Sequence, residues 1–231
     1  MDTKKVLRRM KLVIPAMILC MIGDYCIGIE PASSYEIGGM ASTGWVTISD
    51  FRILLSNCLG AVGSVLYAIG AIEYIRFLIY ANKDNRSRAD QFWLKMYYAA
   101  LGLGCVSFMY FHIAVGGLIQ HFNVLYDSLG GNIDAVLKAW NRMFLVEAVP
   151  FIVFFIGFDV FATVAWIALI IRRIIPESKV WIIAAPLLMT CIGSLIDLLP
   201  WPVNGMNSGY ETLGWMLMFV CGIRYIKKQE A

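Results

Sequence analysis

The chain has 231 residues, of which 60% are hydrophobic and 15% are charged. Ordinary soluble domains carry about 25% charged residues, so this composition excludes a typical soluble fold and favours a membrane protein. The formal net charge of +3 does not indicate a nucleic-acid partner, because the basic residues collect beside apolar runs, where they orient spans in a membrane.

Six apolar runs are long enough to cross the hydrocarbon layer, which takes roughly 20 helical residues. The first run follows a basic N-terminus like that of a signal peptide, but it continues to Ile29 and contains Asp24. We therefore interpret it as a retained first span. The predicted spans cover residues 12–29, 53–80, 92–119, 143–171, 180–199 and 209–226. We expect one integral membrane domain over residues 1–231, an all-α bundle of six transmembrane helices.

Lysine and arginine residues are distributed unevenly between the two sides that these spans would separate. Of the 19 basic residues, all but three fall in or next to the N-terminal segment, the second loop, the fourth loop or the C-terminal segment. The exceptions are Arg52, Lys138 and Arg142. Because basic segments stay in the cytoplasm, we expect both termini inside the cell, the chain in the inner (cytoplasmic) membrane, and membrane lipids around it.

Four of the ionisable residues in the predicted spans lie well away from the inner interface and are singled out by their depth. They are Asp24, His112, Asp159 and Asp197. A charged side chain at the centre of a bilayer costs about 2.5 to 3.5 kcal/mol, so each of them is a candidate for function. A rise of 1.5 Å per residue from the flanking basic residues places all four about 20 to 27 Å above the inner interface. They therefore belong to the outer half of four different helices.

The second predicted span carries a stripe of small residues that favours close helix packing. Gly60 and Gly63 share this stripe with Tyr67, whose hydroxyl group would point inward. Arg52 lies at the mouth of the same region, where it would neutralise a carboxylate, and Glu211 lies near the rim. We therefore predict a polar pocket that opens outward. Its candidate ligand- or ion-binding residues are Asp24, Arg52, Tyr67, His112, Asp159 and Asp197.

Three kinds of function use such a pocket. In the first, carboxylates hold a small cationic or amphipathic ligand for transport or sensing, while aromatic side chains close over its apolar part. In the second, a divalent metal ion activates water against a lipid. Its ligands would be His112, Asp24, Asp159 and Asp197. In the third, His112 or Asp159 exchanges protons with a sterol-like substrate.

Ligand binding is our main hypothesis because it requires the fewest groups, and a membrane-embedded enzyme is the alternative. A purely structural role of the carboxylates in helix packing is also compatible with the sequence. The small-residue stripe fits self-association and internal packing equally well, so the oligomeric state stays open.

The string Ile22-Gly23-Asp24, followed by RILLSNCLGAVGSVLYAIG from Arg52, resembles the opening of a family of small, uncharacterised bacterial membrane proteins. The resemblance covers the first two predicted spans. It implies a bacterial host, a six-helix membrane fold, and characteristic family positions. Those positions are Asp24, Arg52, Gly60, Gly63 and Tyr67. Because the family has no established activity, the resemblance does not choose among the three functions.

Overall fold

The computed structural model of the chain describes residues 1–38, 41–83 and 86–230, most of which are helical. The α-helices are α1 (Thr3–Met10), α2 (Val13–Gly28), α3 (Asp50–Ala81), α4 (Arg88–Ser128), α5 (Ile133–Ile171), α6 (Pro186–Asp197) and α7 (Tyr210–Glu230). Two 3₁₀-helices cover Thr43–Thr47 and Lys179–Ala184. The short strands are β1 (Glu30–Pro31), β2 (Glu36–Gly38), β3 (Ala41–Ser42) and β4 (Val203–Asn204). The predicted all-α fold class is confirmed.

Side-chain caps fix where the long helices begin. The Ser49 hydroxyl oxygen accepts a hydrogen bond from the Arg52 N–H at 3.4 Å, at the start of α3. Ser87 accepts from the Asp90 N–H at 3.1 Å, at the start of α4. Asn132 caps α5 in the same way. Each cap satisfies one of the backbone N–H groups that have no partner within the first turn.

Within the described residues, four helical segments are long and apolar enough to cross a membrane. They cover Thr3–Gly28, Asp50–Ala81, Arg88–Ser128 and Ala148–Ile171. The first combines α1 and α2, and the last is part of α5. Each is longer than about 30 Å, the thickness of the hydrocarbon layer. Each of the first four predicted spans therefore coincides with such a segment, which is what a membrane protein requires.

The fifth predicted span, residues 180–199, is not a continuous α-helix. It consists of the 3₁₀-helix Lys179–Ala184 followed by α6, which has 12 residues and is therefore about 18 Å long. Pro186 occupies the first position of α6. Proline is favourable there, because the first turn needs no N–H donor and the ring fixes a helical φ.

Side chains of α5 hydrogen-bond to the backbone at this break. The Trp166 indole N–H donates to the Trp181 carbonyl at 2.7 Å, and the Leu187 N–H donates to the Thr163 hydroxyl at 3.1 Å. Ala184, between them in the chain, is fully buried. Unpaired backbone groups are costly where they are buried, so these two bonds explain how the chain tolerates irregular backbone here.

The sixth predicted span, residues 209–226, lies within α7 except for its first residue, Gly209. This helix has 21 residues, which gives a length of about 31 Å. It carries Glu211 in its first turn, and Lys227 and Lys228 in its last turn. α7 therefore has the length of a membrane crossing but is charged at both of its ends.

Helices α2 to α7 follow one another around a closed ring, since each packs against the next and α7 returns to α2. α1 lies against α3 and α7. Aromatic side chains fill the interior. The rings of Phe158 and Trp215 stack with centroids 4.5 Å apart, and those of Tyr67 and Phe108 meet edge to face at 4.9 Å. This core joins α3, α4, α5 and α7.

The two ends of the ring differ in composition. One end, which we call the terminal end, contains both chain termini and several ion pairs between distant elements. These pairs are Arg9–Glu73, Arg172–Asp90 (2.6 Å) and Lys228–Glu177 (2.8 Å). The opposite end, the loop end, contains residues 29–38, 41–49 and 198–209. There β1 and β4 pair antiparallel, with Glu30 opposite Asn204.

Candidate functional site

A cavity of about 230 Å³ lies in the loop-end half of the ring. Its polar and charged lining residues are Asp24, Glu30, Ser107, His112, Ser208, Glu211 and Thr212. Its aromatic lining residues are Trp45, Phe108, Phe111, Phe155 and Phe158. No lysine or arginine lines this cavity in the described part of the chain. The wall therefore combines acidic and aromatic side chains.

Asp24 on α2 is 7% exposed and lies in the cavity wall. Its Oδ2 accepts a hydrogen bond from the Thr212 hydroxyl of α7 at 2.8 Å. Its Oδ1 lies 3.7 Å from Nε2 of His112 on α4. Asp24 therefore connects three helices at the cavity.

His112 is fully buried, and its two ring nitrogens face different groups. Nδ1 lies 2.9 Å from the hydroxyl oxygen of Ser56 on α3. Nε2 faces Asp24 and has no hydrogen-bond partner within the described residues. A Cβ atom at Gly23 would lie 2.8 Å from the ring, and one at Gly60 would overlap it. These two glycines therefore make room for the imidazole between α2, α3 and α4.

Asp159 on α5 is fully buried beside the cavity but outside its lining. Its Oδ1 accepts a hydrogen bond from the Trp215 indole N–H at 3.3 Å. Glu211, one helical turn before Trp215, interacts electrostatically with both Asp159 and Asp24. Like charges repel strongly where the dielectric constant is low. A positive charge bound among these three carboxyl groups would offset that repulsion.

A second cavity of about 340 Å³ lies closer to the loops and shares Gly28, Glu30 and Trp45 with the first. Asp197 lines this second cavity and not the first. Its Oδ1 accepts a hydrogen bond from the Met206 N–H at 3.1 Å. Asp197 therefore lies apart from the other three ionisable candidates, because α6 ends at this residue on the loop end.

Glu30 lies at the boundary between the two cavities. Its carboxylate accepts a hydrogen bond from the Ser42 hydroxyl. Burial raises the pKa of Glu30, while the bond from Ser42 and the positive charge of Arg52 act in the opposite direction. A cationic ligand that moves between the cavities would pass this carboxyl group.

Arg52 binds two backbone carbonyl groups at the end of α2. Its Nε donates to the Cys26 carbonyl at 2.8 Å, and its Nη2 donates to the Ile29 carbonyl at 2.6 Å. The last carbonyls of a helix lack intrahelical partners and carry a partial negative charge. Arg52 therefore holds the C-terminal end of α2 in place, next to the boundary between the cavities.

Tyr67 lies in the aromatic core, outside the lining of either cavity. It is fully buried, and its hydroxyl group donates to the Leu101 carbonyl of α4 at 3.3 Å. A Cβ atom at Gly104 would lie 2.8 Å from the Tyr67 ring. These contacts give Tyr67 a role in the packing of α3 against α4.

The four residues suggested as metal ligands do not form one group. Asp24 and His112 are neighbours, whereas Asp159 lies outside the cavity wall and Asp197 lines the second cavity. Across residues 1–38, 41–83 and 86–230, no three His, Cys, Asp or Glu side chains are arranged to hold a metal ion. The pairing of Asp24 with His112 alone is short of the three protein ligands of a catalytic zinc site.

The fold adds three residues to the site, Ser56, Glu211 and Thr212. Glu211 carries the same sequence signal as Asp24, an acidic residue within an apolar run, but its place near the predicted rim favours a hydrated side chain. Ser56 and Thr212 have no ionisable group. Only the packing of α3 and α7 brings them to His112 and Asp24.

Comparison with known proteins places the chain in an uncharacterised group. The pattern of a family described as "Family of unknown function (DUF6796)" matches residues 1–229. No curated protein and no solved structure matches the chain. The match extends well beyond the first two predicted spans, so the predicted resemblance to an uncharacterised family is confirmed over nearly the whole chain.

Proposed function

The chain belongs to DUF6796, a family of unknown function, and we propose that it is a multi-pass protein of the bacterial inner membrane whose loop-end cavity binds a small amphipathic cation. The observation that carries this proposal is the composition of the cavity wall. Asp24, Glu30 and Glu211 line it together with five aromatic side chains. A cation would be attracted by the carboxylates, and an apolar body would pack against the aromatic rings.

In this proposal the single domain crosses the membrane six times, with both termini in the cytoplasm. The four long apolar segments supply four crossings. The 3₁₀-helix Lys179–Ala184 and α6 together reach about 30 Å if they are collinear, which is enough for an interrupted fifth crossing. α7 supplies the sixth. The basic terminal end then faces the cytoplasm, in agreement with the distribution of basic residues in membrane proteins.

The size of the cavity restricts the ligand. Its volume of about 230 Å³ is below the roughly 300 to 1,000 Å³ of pockets that hold drug-sized molecules. A monoamine with a small ring or a short alkyl body fits this description. The unpartnered Nε2 of His112 supplies a further polar group on the same wall. Entry through the second cavity would lead the ligand past Glu30 from the side away from the cytoplasm.

The test compares phenethylamine with 2-phenylethanol, which has a similar apolar body but no positive charge. The unfolding temperature of the purified protein in a neutral detergent is measured by tryptophan fluorescence. We expect saturating phenethylamine to raise this temperature by about 5 °C and the alcohol to have little effect. Equal shifts with both compounds would mean non-specific partitioning and would overturn the proposal.

Matched variants locate the binding site. Asp24→Asn and Glu211→Gln should abolish the response to phenethylamine, because each removes a carboxylate from the cavity wall. Asp197→Asn makes the same chemical change in the second cavity and should keep the response. A response that persists in both cavity variants and disappears in Asp197→Asn would place the ligand elsewhere.

A second candidate function, acid–base catalysis on a lipid or sterol-like substrate, is favoured by the neighbouring His112 and Asp24 side chains. Under this alternative the imidazole transfers a proton, and Ser56 orients the ring through Nδ1. Incubating the purified protein with a bacterial lipid extract and analysing the products by mass spectrometry tests it. Conversion that disappears in His112→Gln supports the enzyme, and an unchanged lipid profile with the wild-type protein counts against it.

A further inference from the structure

A basic cavity lies at the terminal end of the ring, on the side opposite the acidic cavity. Its volume is about 620 Å³. It is lined by Arg8, Arg9, Leu12, Ile69, Ile72, Glu73 and Arg76. α1 and the start of α2 form one wall, and the C-terminal half of α3 forms the other.

The charges in this cavity do not balance. Glu73 is its only acidic lining residue among the residues that the structure describes, and it is buried. Both Arg9 and Arg76 donate to the same carboxylate oxygen of Glu73. Arg8 adds a third positive charge on an exposed side chain. The cavity therefore carries an excess of two positive charges, which favours an anionic ligand.

The remaining wall is apolar and exposed. Ile69 is 38% exposed and Ile72 is 46% exposed. They precede Arg76 by seven and four positions, so all three residues lie on one face of α3. Leu12 lies across from them on the first membrane segment. A free inorganic anion makes no favourable contact with this apolar surface, whereas an acyl chain can pack along it.

We propose that the basic cavity binds an anionic phospholipid of the cytoplasmic leaflet, with the phosphate between Arg8 and Arg76 and an acyl chain along Ile69 and Ile72. In a lipid the headgroup lies at the membrane surface and the acyl chains lie deeper. The arrangement is the same here, because the arginines lie nearer the chain termini and the isoleucines nearer the middle of α3. Basic pockets between membrane helices on the cytoplasmic side suit such headgroups. The proposal rests on the membrane orientation proposed above, and it is independent of the ligand of the acidic cavity.

The test measures lipid retention by native mass spectrometry of the purified protein in a neutral detergent. Phosphatidylglycerol and phosphatidylcholine with identical acyl chains are added separately, and inorganic phosphate is added as a competitor. We expect phosphatidylglycerol to be retained at least about tenfold better than phosphatidylcholine. Phosphate alone should not displace it, because phosphate makes no contact with the isoleucine surface.

Variants of the arginines assign this selectivity to the cavity. The double variant Arg8→Gln, Arg76→Gln should lose roughly tenfold in phosphatidylglycerol retention, while Arg9 still pairs with Glu73. Arg88→Gln removes an exposed arginine at the same end of the molecule but outside the cavity, and it should behave like the wild type. Ile72→Ser keeps every charge. It should weaken retention of phosphatidylglycerol but should not change the binding of inorganic phosphate.

Equal retention of both lipids would overturn the lipid site. So would an equal loss of phosphatidylglycerol retention in Arg88→Gln and in the double variant. The third contradicting result is displacement of bound phosphatidylglycerol by inorganic phosphate at the concentration at which added phosphatidylglycerol displaces it. The phenethylamine response is measured on the same samples. If the protein selects phosphatidylglycerol but does not respond to phenethylamine, the result counts only against the acidic cavity. The opposite result would count only against the basic one.

Discussion

The imidazole ring of His112 lies in the space that the absent side chain of Gly60 leaves on the surface of α3. The ring is held there by the hydrogen bond between its Nδ1 and Ser56, one helical turn before Gly60. The small residue and the large one therefore form a single packing unit between α3 and α4. This unit also determines which ring nitrogen faces the acidic cavity.

Gly60→Ala should destabilise the protein by about 1 to 3 kcal/mol, because the added methyl group overpacks against the His112 ring. Gly117→Ala is the matched control, since no atom lies within 4 Å of a Cβ atom at that position of α4. There the higher helix propensity of alanine should leave stability unchanged or increase it. Thermal unfolding followed by tryptophan fluorescence measures both variants.

The same pair of residues allows a test by a double-mutant cycle. His112→Ala should recover part of the stability that Gly60→Ala loses, because the ring no longer collides with the new methyl group. Additive effects of the two substitutions would contradict the contact.

The hydrogen bond from Thr212 to Asp24 should contribute about 0.5 to 3 kcal/mol, a range that covers bonds to neutral and to charged groups. Thr212→Val has nearly the same shape but leaves the Asp24 carboxylate without this donor. We expect a lower unfolding temperature for Thr212→Val and a nearly unchanged one for Thr212→Ser, which keeps the hydroxyl group. A smaller effect of the valine than of the serine would show that the bond does not stabilise the fold.

Glu30 should make stability depend on pH in a defined direction. Burial gives its carboxyl group a higher pKa in the folded chain than the ordinary value of 4.5. At low pH the carboxyl group is protonated in both the folded and the unfolded chain. As the pH rises from the ordinary pKa through the raised one, the unfolded chain loses this proton more readily, so the folded chain becomes less stable. Glu30→Gln cannot ionise, so its unfolding temperature should increase relative to the wild type as the pH rises above about 4. A difference that stays constant over this range, or falls, would contradict the raised pKa.

The proposed six crossings predict the location of two fusion points. Alkaline phosphatase fused after Gly131, in the turn between α4 and α5, should be active because it folds only outside the cytoplasm. Green fluorescent protein fused after Ala231 should fluoresce because it folds inside the cell. An inactive phosphatase after Gly131, or a C-terminal fusion that does not fluoresce, would contradict this topology.

Apolar run length is sufficient to predict α2, α3 and α4, because a helix that crosses hydrocarbon must be apolar over most of its length. It does not predict the break before α6, since residues 180–185 are as apolar as a continuous span. The signal that marks the break is Pro186, which favours the first turn of a new helix. The hydrogen bonds to the backbone at this break involve Trp166 and Thr163, and hydropathy contains no information about such partners.

The sequence also predicts some features of the candidate site and not others. Depth along a helix follows from counting residues, and Asp24 and His112 lie at similar depth and meet at the cavity. The rotation of each helix and the identity of its neighbours depend on packing. For this reason the sequence does not reveal that Tyr67 faces the aromatic core or that Asp197 lines another cavity. Arg52 was expected to neutralise a carboxylate, yet the folded chain uses it chiefly to bind carbonyl groups at the end of α2.

The closure of the ring by α7 has a consequence for biosynthesis. Asp24 and Thr212 are separated by 188 positions, so at about 5 to 20 residues per second the ribosome needs roughly 10 to 40 s to reach the second after the first. During this interval the first membrane segment holds a carboxyl group whose hydrogen-bond donor has not yet been synthesised. The hydrogen bond between α2 and α7 therefore forms only after nearly the whole chain has been synthesised.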